Sequence, residues 1–134
     1  MSKKIFVNLA VKDLNKSVAF FTKLGYTFNQ QFTDETATCM VVSEEIYFML
    51  LTEDKFKSFT KKQIADTSKS NEAMLAMSAD SKEEVDSMVN NAIAAGATEP
   101  HEAQDLGFMY SRIFYDLDGH HWEYFWMDPT AIQG

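Results

Sequence analysis

The chain has 134 residues, 46% of them hydrophobic, so it is long enough to bury a core without disulfides or a structural metal. Its formal charge of −8 argues against a nucleic-acid binder, which needs a basic surface, and its single cysteine, Cys39, excludes an internal disulfide. No run reaches the roughly 20 apolar residues of a membrane span, and the start, Met1-Ser2-Lys3-Lys4-Ile5, lacks the apolar stretch of a secretion signal, so a cytoplasmic location is expected.

The first strand is expected over residues 5–11. A helix follows over residues 14–24, with Asp13 as N-cap and Gly25 as the residue that ends it. Leu14, Ser17, Val18, Phe21 and Leu24 recur at helical spacing and should form its buried face. Three strand-like runs come next, over residues 26–32, 36–43 and 45–51. Residues 52–71 break this pattern. They are rich in Lys, Ser and Thr, with Phe56, Phe59 and Ile64 among them. They read as a linker with a short helix, whose aromatics can cover one end of a cleft.

The same order then repeats. A strand is expected over residues 73–79 and a helix over 82–95. Ser81 and Glu84 form a capping box, and Gly96 is the stop. Val85, Met88, Val89, Ala92 and Ala95 make the buried stripe. Strands follow over residues 98–104, 108–116 and 120–126, with Asp118-Gly119 as a tight turn between the last two. The fold class is therefore α+β, from two βαβββ modules. We expect one domain over residues 1–134: module 1 at about 4–52, a linker at about 53–71 and module 2 at about 72–127.

Two segments carry a family resemblance. Val11-Lys12-Asp13-Leu14, with Ser17, Phe20, Phe21 and Leu24-Gly25, resembles the V-x-D-L-x-x-S-x-x-F-Y-x-x-L-G run that opens the vicinal oxygen chelate superfamily. Asp118-Gly119-His120-His121-Trp122-Glu123 resembles that superfamily's D-P-D-G-x-x-x-E, with Leu117 in place of the proline. This is the fold of glyoxalase, bleomycin-resistance and extradiol dioxygenase proteins. The resemblance implies a curved mixed sheet around an open cleft, and usually a homodimer. It does not imply one chemistry, because fold and function separate widely here.

Enzymes of the superfamily hold a divalent metal with four side chains, usually His or Glu. The resemblance places those positions at Phe6, Met49, Met74 and Glu123. A phenyl ring cannot ligate, and thioethers suit soft Cu(I) rather than hard or borderline ions. Only Glu123 matches, so no metal and no cofactor is expected. His121 lies two residues before Glu123 and shares its side of the strand, and Asn8 shares that of Phe6. A shifted metal site that includes Glu123 and His121 is the alternative, in a glyoxalase-like lyase, isomerase or dioxygenase.

The first expectation is a metal-independent protein that binds a small organic molecule in an aromatic cleft. Phe6, Asn8, Met49, Met74, Arg112, His121 and Glu123 are its candidate ligand-binding residues. Glu123 is also the candidate general acid or base. Arg112, the sole arginine, is the first residue to suspect for an anionic ligand. Phe48, Phe108, Tyr110, Phe114, Tyr124, Phe125 and Trp126 join Phe6 on strand-like runs, and roughly half of them should face the ligand, because strand side chains alternate. Cys39 lies mid-strand without a partner base and reads as structural.

Overall fold

Asp13 starts the first helix. Its backbone is extended, and its carboxylate accepts from the Lys16 amide at 3.1 Å. That bond satisfies one of the donors every helix start leaves open. The computed structural model describes residues 2–131. They divide into two compact units, with the boundary between Ala65 and Asp66.

In the first unit, strand β1 is Ile5–Val11 and helix α1 is Leu14–Lys23, with Gly25 just beyond it at φ +100. Strands β2 (Thr27–Asn29), β3 (Ala37–Val41) and β4 (Ile46–Thr52) complete a sheet of order β1-β4-β3-β2. β1 runs parallel to β4, and the other pairs are antiparallel. Ser17, Phe21 and Leu24 are buried as expected. Phe20 is buried too, edge-on to Phe21 at 4.9 Å, while Val18 is only half-buried. The strand expected over residues 26–32 is cut short. Asn29 accepts from the Gln31 amide at 2.9 Å and caps a 3-10 turn over Gln30–Phe32. A local side-chain bond wins over the ladder there. The linker does hold a short helix, α2, at Glu53–Lys57.

The second unit repeats the plan. Strand β5 is Met74–Ser78 and helix α3 is Lys82–Ala94. Strands β6 (Gln104–Asp105), β7 (Met109–Tyr115) and β8 (His121–Met127) follow, in the order β5-β8-β7-β6. Ser81 accepts from the Glu84 amide at 3.0 Å, but the Glu84 carboxylate turns back to the Asp80 amide at 2.8 Å, one residue earlier than a standard capping box. The strand expected over residues 98–104 is reduced to a single bridge, Thr98 to Tyr115, and two-residue β6. Pro100 in its middle has no amide to donate to a ladder. Among the described residues, no helix is long and apolar enough to cross a membrane.

The repeat holds at the level of register. Phe6 sits opposite Tyr47 and Asn8 opposite Met49; in the second sheet Met74 sits opposite His121 and Ala76 opposite Glu123. In each sheet one face is buried. The first buries Leu9, Thr38, Met40, Phe48 and Leu50. The second packs Phe114, Trp122 and Tyr124 on the side of α3, whose Val85, Val89 and Ala92 are buried. The other face of each sheet carries the site candidates except Arg112.

The β7–β8 turn is closed by Gly119 N–H to the Asp116 carbonyl at 3.0 Å and Asp116 N–H to the His120 carbonyl at 3.1 Å. Gly119 has φ +87, and a β-carbon there would stand 2.6 Å from the Thr67 carbonyl oxygen. Thr67 also donates its hydroxyl to the Asp118 carbonyl. Gly119→Ala therefore meets both backbone strain and a fixed neighbour. Gly25 has the same kind of φ but nothing within 4 Å of an added β-carbon. In urea unfolding, Gly119→Ala is expected to cost roughly 2–4 kcal/mol and Gly25→Ala about 1 kcal/mol. Equal costs would mean that Thr67 yields readily.

Candidate functional site

On the open face of the first sheet, Phe6 stacks on Tyr47, with ring centres 4.6 Å apart and planes within 10°. Pairing of β1 with β4 sets those residues opposite one another, which makes the stack possible. The Lys4 ammonium lies 5.7 Å from the Tyr47 ring centre. Phe6 keeps 48% of its surface exposed, so the outer face of the pair is open. Met49 is half-buried on the same side.

Asn8 follows on that face. Its Nδ2 donates to the Phe6 carbonyl at 3.2 Å, which orients the amide and leaves Oδ1 as an acceptor. Asn8, Leu51, Phe56, Phe59 and Thr60 line a groove of about 380 Å³. The linker aromatics thus cover one end of this face. Cys39 belongs to the same face but is buried, and burial pushes its thiol pKa up, as suits an inert side chain.

In the second unit the open face carries His121 and Glu123, as their spacing implies. His121 is 8% exposed, its ring lies 5.7 Å from that of Tyr115, and its Nδ1 is buried without a hydrogen-bond partner. Glu123 is half-buried and makes no hydrogen bond or ion pair among the described residues. Met74, beside His121 on β5, is 70% exposed. His120 behaves differently: it lies buried in the turn, and its Nδ1 meets a Glu72 carboxylate oxygen at 3.0 Å.

Arg112 does not join this group. It pairs with Tyr124 in the ladder and so lies on the α3 side, opposite to Glu123. Its Nε donates to Glu99 at 2.9 Å, one terminal nitrogen donates to Glu99 at 3.0 Å and the other to Asp86 at 3.0 Å. These bonds to Glu99 raise its pKa further. Tyr110 also donates to Asp86, at 2.6 Å, which raises the Tyr110 pKa. The suspected anion-binding arginine is a clasp between α3 and β7.

The aromatic side chains divide between the two faces, as strand alternation implies. Phe48, Tyr110, Phe114, Tyr124 and Trp126 lie on the helix-covered faces, with Lys82 of α3 over the Tyr110 and Trp126 rings at 5.9 and 5.4 Å. Phe6 and Phe125 remain on open faces, and exposed Phe108 precedes β7. Tyr47, Leu51 and Thr60 were not singled out from the sequence. Period-2 alternation from Met49 would have marked Tyr47 and Leu51; nothing local marks Thr60.

The donor set at Phe6, Met49, Met74 and Glu123 is a phenyl ring, two thioethers and one carboxylate. It does not fit the Zn, Ni, Fe or Mn ion that enzymes of this fold hold. Among the described residues, no group of three or more His, Cys, Asp or Glu could hold a metal ion.

Residues 3–43 match the family described as bleomycin resistance protein-like N-terminal. No curated protein matches the chain. Among solved structures, a hypothetical protein from S. aureus superposes with a TM-score of 0.79 at 27% identity, over 93% of this chain and 94% of that one. A glyoxalase/bleomycin resistance protein/dioxygenase family enzyme from Burkholderia phytofirmans gives 0.77 at 17% identity, over 94% and 99%. A genomically encoded fosfomycin resistance protein from Listeria monocytogenes gives 0.66 at 22% identity, over 93% and 90%. At 17% and 22% identity these last two establish the fold and not an activity. The N-terminal segment is thus similar to the bleomycin-resistance-like family, and along almost the whole chain the fold is that of the glyoxalase and bleomycin-resistance structures.

Proposed function

We propose that the protein is a metal-independent binder of a small organic molecule, of the bleomycin-resistance type. The observation that carries this reading is the Phe6–Tyr47 stack. Where the resemblance places the first metal ligand, the chain has a half-exposed ring paired with a second ring, beside the Asn8 groove. Stacked aromatics next to a few polar atoms suit flat organic ligands and give a divalent ion nothing to bind. A cytoplasmic homodimer belongs to the same reading and rests on the resemblance.

A second reading has one observation in its favour. The buried Nδ1 of His121 lacks a partner, and Glu123 on the same face has none either. These two groups would anchor a shifted metal in a glyoxalase-like lyase, isomerase or dioxygenase.

Metal content separates the two. The purified protein is incubated with Zn, Ni, Mn and Fe(II) in turn, desalted and measured by elemental mass spectrometry. The first reading expects far less than one metal per chain in every case. One per chain, lost in Glu123→Gln, overturns it in favour of the second.

A further inference from the structure

The groove beside Asn8 has walls that specify a kind of ligand. Thr52 caps α2 by accepting from the Lys55 amide at 3.3 Å. The turn runs on past the helix, with Phe59 N–H bonded to the Phe56 carbonyl at 3.0 Å. Phe56 and Phe59 are three residues apart in this turn, so both rings reach the same side. That side is the open face of the sheet, where Leu51 is fully buried and forms a floor. Phe59 is 67% exposed, which leaves most of an aromatic surface uncovered at the groove's rim.

The polar atoms are few and uncharged. Asn8 Oδ1 is an acceptor, its amide being oriented through Nδ2. Thr60 Oγ1 accepts from the Lys62 amide at 3.2 Å, so its own proton points elsewhere and can be donated. Among the described residues, no carboxylate or ammonium lines the groove. The Lys55 ammonium is placed over the Phe59 ring, with Nζ 5.2 Å from its centre. A charged ligand would lose hydration here without an opposite charge to replace it. The volume of about 380 Å³ is at the small end for ligand sites, enough for a fused bicyclic ring system.

We propose that this groove binds a neutral, ring-bearing molecule of bicyclic size, stacked against Phe56 and Phe59 and hydrogen-bonded to Asn8 Oδ1 and the Thr60 hydroxyl. The inference rests on the small-molecule reading above and adds its ligand class and the part played by the linker. The linker is then a wall of the site and not only a connector.

The test uses the full chain and three probes of one shape: naphthol, naphthoate and naphthylmethylamine, which are neutral, anionic and cationic at neutral pH. Backbone amide NMR follows each titration. Naphthol is expected to shift Asn8, Leu51, Phe59 and Thr60 saturably, and the charged probes to bind at least tenfold more weakly. Phe59→Ala removes an exposed ring and should weaken naphthol binding roughly tenfold. Thr60→Val keeps the shape and should weaken it a few-fold. Equal binding of a charged probe overturns the ligand class. Naphthol binding that ignores both variants, or that shifts His121 and Glu123 instead, overturns the location while the small-molecule reading stands. No saturable shift with any probe also overturns the inference. The broader reading fails separately, if metal is retained.

Discussion

Asp116→Ala is expected to lower the unfolding free energy by roughly 3–5 kcal/mol, the largest loss anticipated for a single side chain outside the apolar core. The Asp116 carboxylate organises the β7–β8 turn. One oxygen accepts from the Asp118 amide at 2.9 Å and the His120 amide at 3.0 Å, and the other accepts from the Trp122 indole at 2.9 Å. Trp122 and His120 are buried, so two of the three donors would be left without water or partner. Each orphaned buried donor costs about 1–3 kcal/mol. Urea unfolding measures the sum. A loss below about 1 kcal/mol would mean that the turn reorganises around new acceptors.

The same carboxyl has a pH signature. Burial raises its pKa above the ordinary 3.8, against the opposing pull of the His120 charge and of its hydrogen bonds. The folded protein therefore binds this proton more tightly than the unfolded chain. The contribution to stability is fully present below 3.8 and is lost as pH rises through the folded pKa. Carbon NMR of the Asp116 carboxyl should show titration above the ordinary value. Asp116→Asn should flatten that stretch of the stability–pH curve. A carboxyl that titrates below 3.8 would show that its hydrogen bonds outweigh burial.

Arg112→Met is expected to cost roughly 2–3 kcal/mol. Breaking a buried ion pair costs about 3–5 kcal/mol because a charge is left without compensation. Here the guanidinium is 11% exposed and Glu99 23%, but Asp86 is 46% exposed and water can reach it, which reduces the loss. Removal of the cation also leaves two carboxylates and the Tyr110 hydroxyl around an empty centre. Arg112→Lys should recover less than half, since an ammonium cannot reproduce the paired contact with Glu99. Naphthol binding should not change in either variant. Unchanged stability with lost anion binding would return Arg112 to the ligand site.

Helix boundaries were legible because caps are local. Asp13 with Gly25, and Ser81 with Gly96, mark both long helices to within a residue. Strand ends were less legible, because a strand exists only against a partner. Residues 26–32 have apolar and polar residues suited to a strand, yet the Asn29 side chain ends it. Residues 98–104 fail at Pro100, which has no amide to donate to a ladder. The aromatic strands were found, but not which way each ring points. Register decides that, and one-residue steps invert it.

The order of the elements, their duplication, the resemblance in fold to the glyoxalase and bleomycin-resistance proteins, and the apolar side chains at Phe6, Met49 and Met74 follow from the sequence by itself. They depend on period, caps and residue chemistry, all of which are local. The tertiary structure alone decided what the lone charges do. Arg112 meets partners 13 and 26 residues away, and His120 meets Glu72 across 48 residues while its neighbour His121 faces the open side with Nδ1 unsatisfied. It also brings Phe56 and Phe59 of the polar linker to the same groove as Asn8 and Leu51. Such pairings depend on which distant segments the sheets bring together, and no spacing along the chain encodes that distance.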